Sequence, residues 1–300
     1  MHAIQCCVPD ATLLPAGIER LILADPEKIR GVGRVTLYAD ERSRDGDTYI
    51  YDLDIRDPDG ALLERWEGLT LQAVRKQDGA GPWAPVLLGP FLERRSELLL
   101  PTPLRVAVAP DGDGSGGSGG PAPAGVVAAN GVAQRRGRTA KAVGRLLGAD
   151  GADGAVRYRP DGKPEVDGGF EVSSAHGAGV TFTVAGTGAV ASDVEVATRR
   201  TAEDWAGLLG PDGYALARLV ARERDEDPSV AATRVWGAIE AVRKTGRARA
   251  GLAVVGAPRA DRWVVFDAGD ARIATFPTLL RGTAEPVVFT MLTGRKEGEY

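Results

Sequence analysis

The stretch from Asp111 to Gly125, DGDGSGGSGGPAPAG, constrains this chain more than any other. Glycine, serine and proline dominate it, and such residues offer no side chains from which a core is built. It reads as a flexible linker, so the chain is expected to fold on either side of it. With 300 residues at 43% hydrophobic content, there is material for one large domain or two ordinary ones. No repeat of solenoid period is visible.

Upstream, a short apolar segment from His2 to Cys7 reads as helical, and four strand-like runs come after it. These are GIERLIL, GRVTLYADE, DTYIYDLDIRD and ALLERWEGLTLQAV, separated by turn residues at Ser43–Asp47 and Asp57–Gly60. The alternation in TYIYDLDI predicts one face on a core and one in water. Downstream, Gly131–Leu147 reads as a helix, AVRYRP, GVTFTVA and AVASDVEV as strands, and TAEDWAGLL and DGYALARLVARER as helices. Asp227-Pro228 supplies an N-cap and a first-turn proline for a further helix that stops at Gly246. Four strand-like runs close the chain near Leu252–Val255, Arg262–Asp267, Arg272–Phe276 and Pro286–Leu292. The strand-like LRVAVAP before the linker has the character of a piece of this downstream half.

A net charge of -4 argues against general nucleic-acid binding and makes any basic patch local. Cys6 and Cys7 give neither a disulfide framework nor a zinc spacing, which points to a reducing cytoplasm. The N-terminal residues lack the pattern of a signal peptide, and no apolar run reaches the ~18 residues of a membrane span. The expectation is a soluble, cytoplasmic protein without a membrane or nucleic-acid partner.

Several groups have chemical potential. His176, in FEVSSAHGAGV, is one of two histidines and sits at what reads as a loop-to-strand junction, where a structural role competes with a catalytic one. In SDVEV, Asp193 and Glu195 share one face of a strand. Two such carboxylates suit Mg²⁺, although acid-x-acid pairs arise several times by chance among 41 acidic residues. RRGRTAKAVGR places Arg138, Lys141 and Arg145 on one helical stripe, suited to a phosphate or else to solvent. Lys163 lies in a Gly-Lys-Pro turn. In RVWGAIEAVRK, Val235, Ile239 and Val242 form a core stripe, with Trp236, Glu240 and Lys244 on the neighbouring one. Taken alone, Glu240 and Lys244 are a surface pair worth ~0.2–0.5 kcal/mol.

In their order along the chain, these motifs of the downstream half resemble a 4'-phosphopantetheinyl transferase of the large, surfactin-synthetase-activating (Sfp-like) type. RRGRTAKAVGRLLG, DGKP, VSSAH, SDVEV and WGAIEAVRK keep the family order over about residues 129–250. The resemblance implies transfer of the phosphopantetheine arm of coenzyme A to a serine of an acyl carrier protein, with Mg²⁺ as cofactor. It implies Asp193, Glu195 and Glu240 as metal ligands, with Glu240 also helping to deprotonate the serine. It implies Lys244 and His176 on the phosphates of coenzyme A, and Arg138, Lys141 and Lys163 in the nucleotide pocket. Such a reaction is mostly positioning and charge neutralisation. The sequence departs from the family pattern at Ala175, Gly177, Ile239 and Ala191-Ser192.

The upstream part resembles the second hot-dog half of a polyketide-synthase dehydratase, with MHAIQCCVPDATLLPAGIERL as the helix leading into a strand. The catalytic His and Asp of that family lie before the corresponding point, so dehydratase or thioesterase chemistry is disfavoured here. The order of parts resembles the tail of an enediyne-type iterative polyketide synthase, and the chain is expected to be a fragment of one. The expected class is α+β: a truncated hot-dog unit at 1–78, a connector at 79–128 holding the linker 111–125, and a transferase α/β domain at 129–300 with helices packed on antiparallel sheets. A non-catalytic carrier-protein docking module is the competing expectation.

Overall fold

The computed structural model of the chain describes residues 2–24, 33–112, 124–148, 156–246, 251–256 and 261–294. It forms two compact units, Met1–Asp78 and Gly79–Tyr300. Most of the linker, residues 113–123, lies outside the described residues. The division between units falls upstream of it, at residues 78 and 79.

The first unit is a short 3-10 helix, His2–Cys7, against five antiparallel strands: β1 (Ala11–Gly17), β2 (Arg20–Leu23), β3 (Thr36–Asp45), β4 (Thr48–Arg56) and β5 (Leu62–Lys76). β5, the longest, pairs with β4 on one side and with β1 and β2 on the other. Alternation along β4 turns Tyr49, Tyr51 and Leu53 inward, where they share a core with Ile4, Val8, Leu69 and Leu71. Asp54, on the opposite face, accepts from Arg65 at 2.7 Å and from Arg56 at 2.7 Å. These guanidinium groups hold its carboxyl at about 2, below the ordinary aspartate range. Helix and sheet together give the expected α+β class.

The second unit repeats one topology. Its first half runs α1 (Pro85–Ser96), β6 (Arg105–Pro110), α2 (Ala124–Leu147), then β7 (Arg157–Tyr158), β8 (Pro164–Glu165), β9 (Glu171–Gly177) and β10 (Val180–Gly186). Its second half runs β11 (Ala189–Val196), α3 (Ala202–Arg224), α4 (Pro228–Lys244), then β12 (Ala253–Val254), β13 (Val264–Ala268), β14 (Ala271–Thr278) and β15 (Val287–Gly294). The sheet orders are β6-β10-β9-β8-β7 and β11-β15-β14-β13-β12. In each half a first strand leads through helix into a four-strand meander whose last strand returns to pair with the first. The segment expected as a connector is thus built into this unit: α1 packs on β6, and β6 pairs with β10.

A central core holds Phe91, Phe182, Val194, Phe276 and Phe289, with Phe182 edge-on to Phe289 at 5.2 Å between centroids. A second core lies under α3 and α4, where Trp205, Val235, Ala238 and Val242 meet Phe266, Ile273 and Leu292. α3 starts in a capping box between Thr201 and Asp204 and runs through a kink at Gly210 and Pro211, which joins the two helices expected there. Asp227 caps α4 by accepting from Ser229 N at 2.8 Å. Arg234, only 1% exposed, pins α4 to the sheet. It pairs with Glu226 at 2.9 Å and donates to the carbonyls of Thr275 and Arg262, so its buried charge is fully engaged.

Candidate active site

The site lies where the two halves of the second unit meet. β9 and β11 belong to different sheets yet run close enough for Ser192 N to donate to Ser173 Oγ at 3.0 Å. A Cβ on Gly177 would lie 2.6 Å from Val194 O, so only glycine permits this approach. Glycine at position 177 therefore has a packing cause. His176 is not at a loop junction: it lies inside β9, directly opposite Thr181 of β10, in a hairpin turned by Ala178 and Gly179. Both turn residues have positive φ (53° and 72°), the pattern of a type I′ turn.

α4 lies across β11 and β15, and Gly237 lets it approach closely. A Cβ there would sit 2.4 Å from Thr290 Oγ1 and 3.5 Å from Asp193 Oδ2. The surface pair expected between Glu240 and Lys244 does not form. Lys244 Nζ reaches β11, donating to Asp193 Oδ1 at 2.7 Å and to Ser192 O at 2.8 Å. Glu240 is held by Arg243, three residues on, at 2.7 Å. Trp236 is half-buried beside the core, and its side chain helps hold the Glu195 carboxyl down.

The carboxylates share one field. Burial pushes the Glu195 carboxyl up, the charges of Asp193 and Glu240 add to this, and Lys244 and Trp236 oppose it. Asp193 is buried and its Oδ2 has no partner among the described residues, which is costly for a charged group. Among the described residues no three His, Cys, Asp or Glu side chains stand as a ready-made metal cage. The donor chemistry nevertheless fits a hard cation: an orphaned buried carboxylate oxygen on Asp193, with Glu195 pushed up by burial and by the charges of Asp193 and Glu240.

A cleft of about 610 Å³ opens beside α2, lined among others by Asp111, Gln134, Arg138, Lys141 and Arg145. Arg138 Nε lies 3.1 Å from Asp111 Oδ1 and 3.3 Å from Thr181 Oγ1. Thr181 Oγ1 also lies 2.9 Å from His176 Nδ1, which ties His176 to the cleft wall. Burial holds the His176 imidazole below the ordinary histidine range, with Arg138, Arg135 and Lys244 lowering it further and Asp111 opposing. Lys244, the weakest of these influences, is the cation that pairs with Asp193. Lys163, just before β8, is not among the residues lining this cleft and pairs with Glu171 of β9 at 2.9 Å. Arg243, Asp111 and Thr181 escape a reading by motif, because each acts through contacts that no family pattern in the sequence marks.

No helix among the described residues is long and apolar enough to cross a membrane. A search of curated proteins finds no match. Residues 1–81 match the family model described as polyketide synthase dehydratase N-terminal domain, ending within three residues of the boundary between the two units. The first unit of this chain is thus a polyketide synthase dehydratase hot-dog portion.

Proposed function

We propose that the second unit transfers the 4'-phosphopantetheine arm of coenzyme A to a serine of an acyl carrier protein. The observation that carries this reading is the adjacency of three chemistries. A cationic cleft with Arg138 and Lys141 adjoins His176 on β9, β9 lies against β11 with Asp193 and Glu195, and Lys244 of the Glu240 helix pairs with Asp193. That combination suits a pyrophosphate whose nucleotide end needs cations and whose reacting end needs a metal.

In this mechanism the serine oxygen attacks the phosphorus that bears the pantetheine arm. A P–O bond forms, the bond to adenosine 3',5'-bisphosphate breaks, and the serine proton passes to the Glu240 carboxylate. Mg²⁺ held by Asp193, Glu195 and Glu240 would neutralise charge on the pyrophosphate. Lys244 holds its ammonium beside Asp193 and offers it to the leaving phosphate. Arg138 and Lys141 bind the nucleotide phosphates, and His176 meets the 3'-phosphate end.

The family match of the first unit is to the N-terminal domain of the dehydratase, which disagrees with the second hot-dog half expected from its opening helix and strand. The order of the two units supports an origin in an enediyne-type iterative synthase, whose own carrier domain is then the partner. A second reading, a docking module that holds carrier protein without modifying it, draws on the cation pairs that occupy one oxygen each of Asp193 and Glu240. Release of adenosine 3',5'-bisphosphate from coenzyme A in the presence of apo carrier protein separates the two. The transferase reading predicts stoichiometric release that chelation stops and that Asp193→Ala abolishes. Carrier binding without release favours docking.

A further inference from the structure

Three groups beside the cleft form a chain with a defined direction. Pairing of β6 with β10 continues one residue beyond the strand, Asp111 N donating to Gly179 O at 2.8 Å, which brings the Asp111 carboxylate over Thr181. Thr181 is fully buried and its hydroxyl donates to Asp111 Oδ1 at 2.7 Å. A threonine has one hydroxyl proton, and a carboxylate only accepts. With that proton committed to Asp111, Thr181 Oγ1 can only accept from His176 Nδ1, 2.9 Å away. Arg138 Nε, a donor to both Thr181 and Asp111, reinforces the same polarity. On the other side of the ring, Thr139 Oγ1 donates to Ser174 Oγ at 3.2 Å and approaches Nε2 no closer than 3.4 Å.

We propose that Asp111 and Thr181 are positioning residues that hold His176 as its Nδ1–H tautomer, so that Nε2 takes a proton from solvent when a phosphate ligand binds. The ligand class, a nucleotide 3'-phosphate, rests on the transferase reading; the tautomer rests on geometry alone. Besides Asp111, the charged groups that act on the ring are Arg138 and Arg135 from α2 and Lys244 from α4, and burial first, then these cations, lower its proton affinity. An arriving phosphate reverses that balance at Nε2, while Asp111, acting through Thr181, steadies the imidazolium from the Nδ1 side.

The test uses the full chain labelled with nitrogen-15 and long-range proton–nitrogen spectra of the imidazole rings. Only His2 and His176 contribute, and His2→Gln removes the first. The free protein shows the Nδ1–H tautomer, and adenosine 3',5'-bisphosphate converts the ring to imidazolium near neutral pH. Thr181→Val moves the neutral ring toward Nε2–H and abolishes proton uptake on binding, whereas Thr181→Ser restores both. Asp111→Ala, at a partly exposed position, frees the threonine proton and yields a tautomer mixture without disturbing buried packing. An Nε2–H ring in the free wild type, or a tautomer unchanged in Thr181→Val and Asp111→Ala, overturns the proposal. If the free tautomer is Nδ1–H but the bisphosphate leaves both nitrogens unmoved, the relay stands and the nucleotide assignment of the cleft falls.

Discussion

At the scale of single residues, the site is set by atoms that leave room. Gly177 lets β9 lie against Val194 O of β11, and Gly237 lets α4 settle over Thr290 and Asp193. Gly177→Ala puts a methyl 2.6 Å from a strand carbonyl that has no freedom to move away. The expected cost is about 1–3 kcal/mol of stability in urea unfolding; a neutral result contradicts the close approach. From the sequence, Gly177 stands out only as a departure from a family pattern. Its reason is illegible there because Val194 lies on another strand of another sheet. The same limit applies to Lys244, whose partner Asp193 is 51 residues away, and to Arg243, which takes the place of Lys244 beside Glu240.

At the scale of elements, the helix carrying Glu240 was legible because its signals are local: an Asp cap, a first-turn proline and an apolar stripe. The stripe did not disclose that Arg234 beside it is buried, since only the tertiary partners Glu226, Thr275 and Arg262 allow that. α1 was illegible because Gly89 and Pro90 sit within it and read as punctuation. In the structure Gly89 is where the helix meets β6, a Cβ there lying 2.9 Å from Val106 O. The same contact carries a pH dependence. Glu93 accepts from Val106 N at 2.7 Å, yet burial pushes its carboxyl above the ordinary glutamate range. A raised acid binds its proton more tightly folded than unfolded, so its contribution is full below about 4.3 and is lost as pH rises through the shifted value. Glu93→Gln should therefore lose less stability than wild type as pH is raised from about 4 toward neutrality, read as the thermal midpoint against pH. Parallel slopes in the two proteins contradict this.

At the scale of the whole molecule, the first unit was readable as a sheet from its alternating strands, and the family match over residues 1–81 agrees with a hot-dog portion. The doubled topology of the second unit was not readable, because its halves share an order of strands and helices rather than residues. The division after residue 78 coincides with the expected end of the hot-dog unit, whereas the expected connector at 79–128, linker included, falls within the second unit. LRVAVAP and the helix before it belong to the second unit, and Asp111, at the edge of the linker, reaches into the cleft. The central claim is that this second unit is a transferase whose acids and cations act on one pyrophosphate. It is tested most directly by the intact mass of an apo carrier domain after incubation with the full chain, coenzyme A and Mg²⁺, with Glu240→Ala alongside. The account predicts a phosphopantetheine-sized gain with wild type that disappears in the variant and on chelation. An unmodified carrier from a folded wild-type chain, with the carrier domain of the proposed parent synthase included, would contradict it.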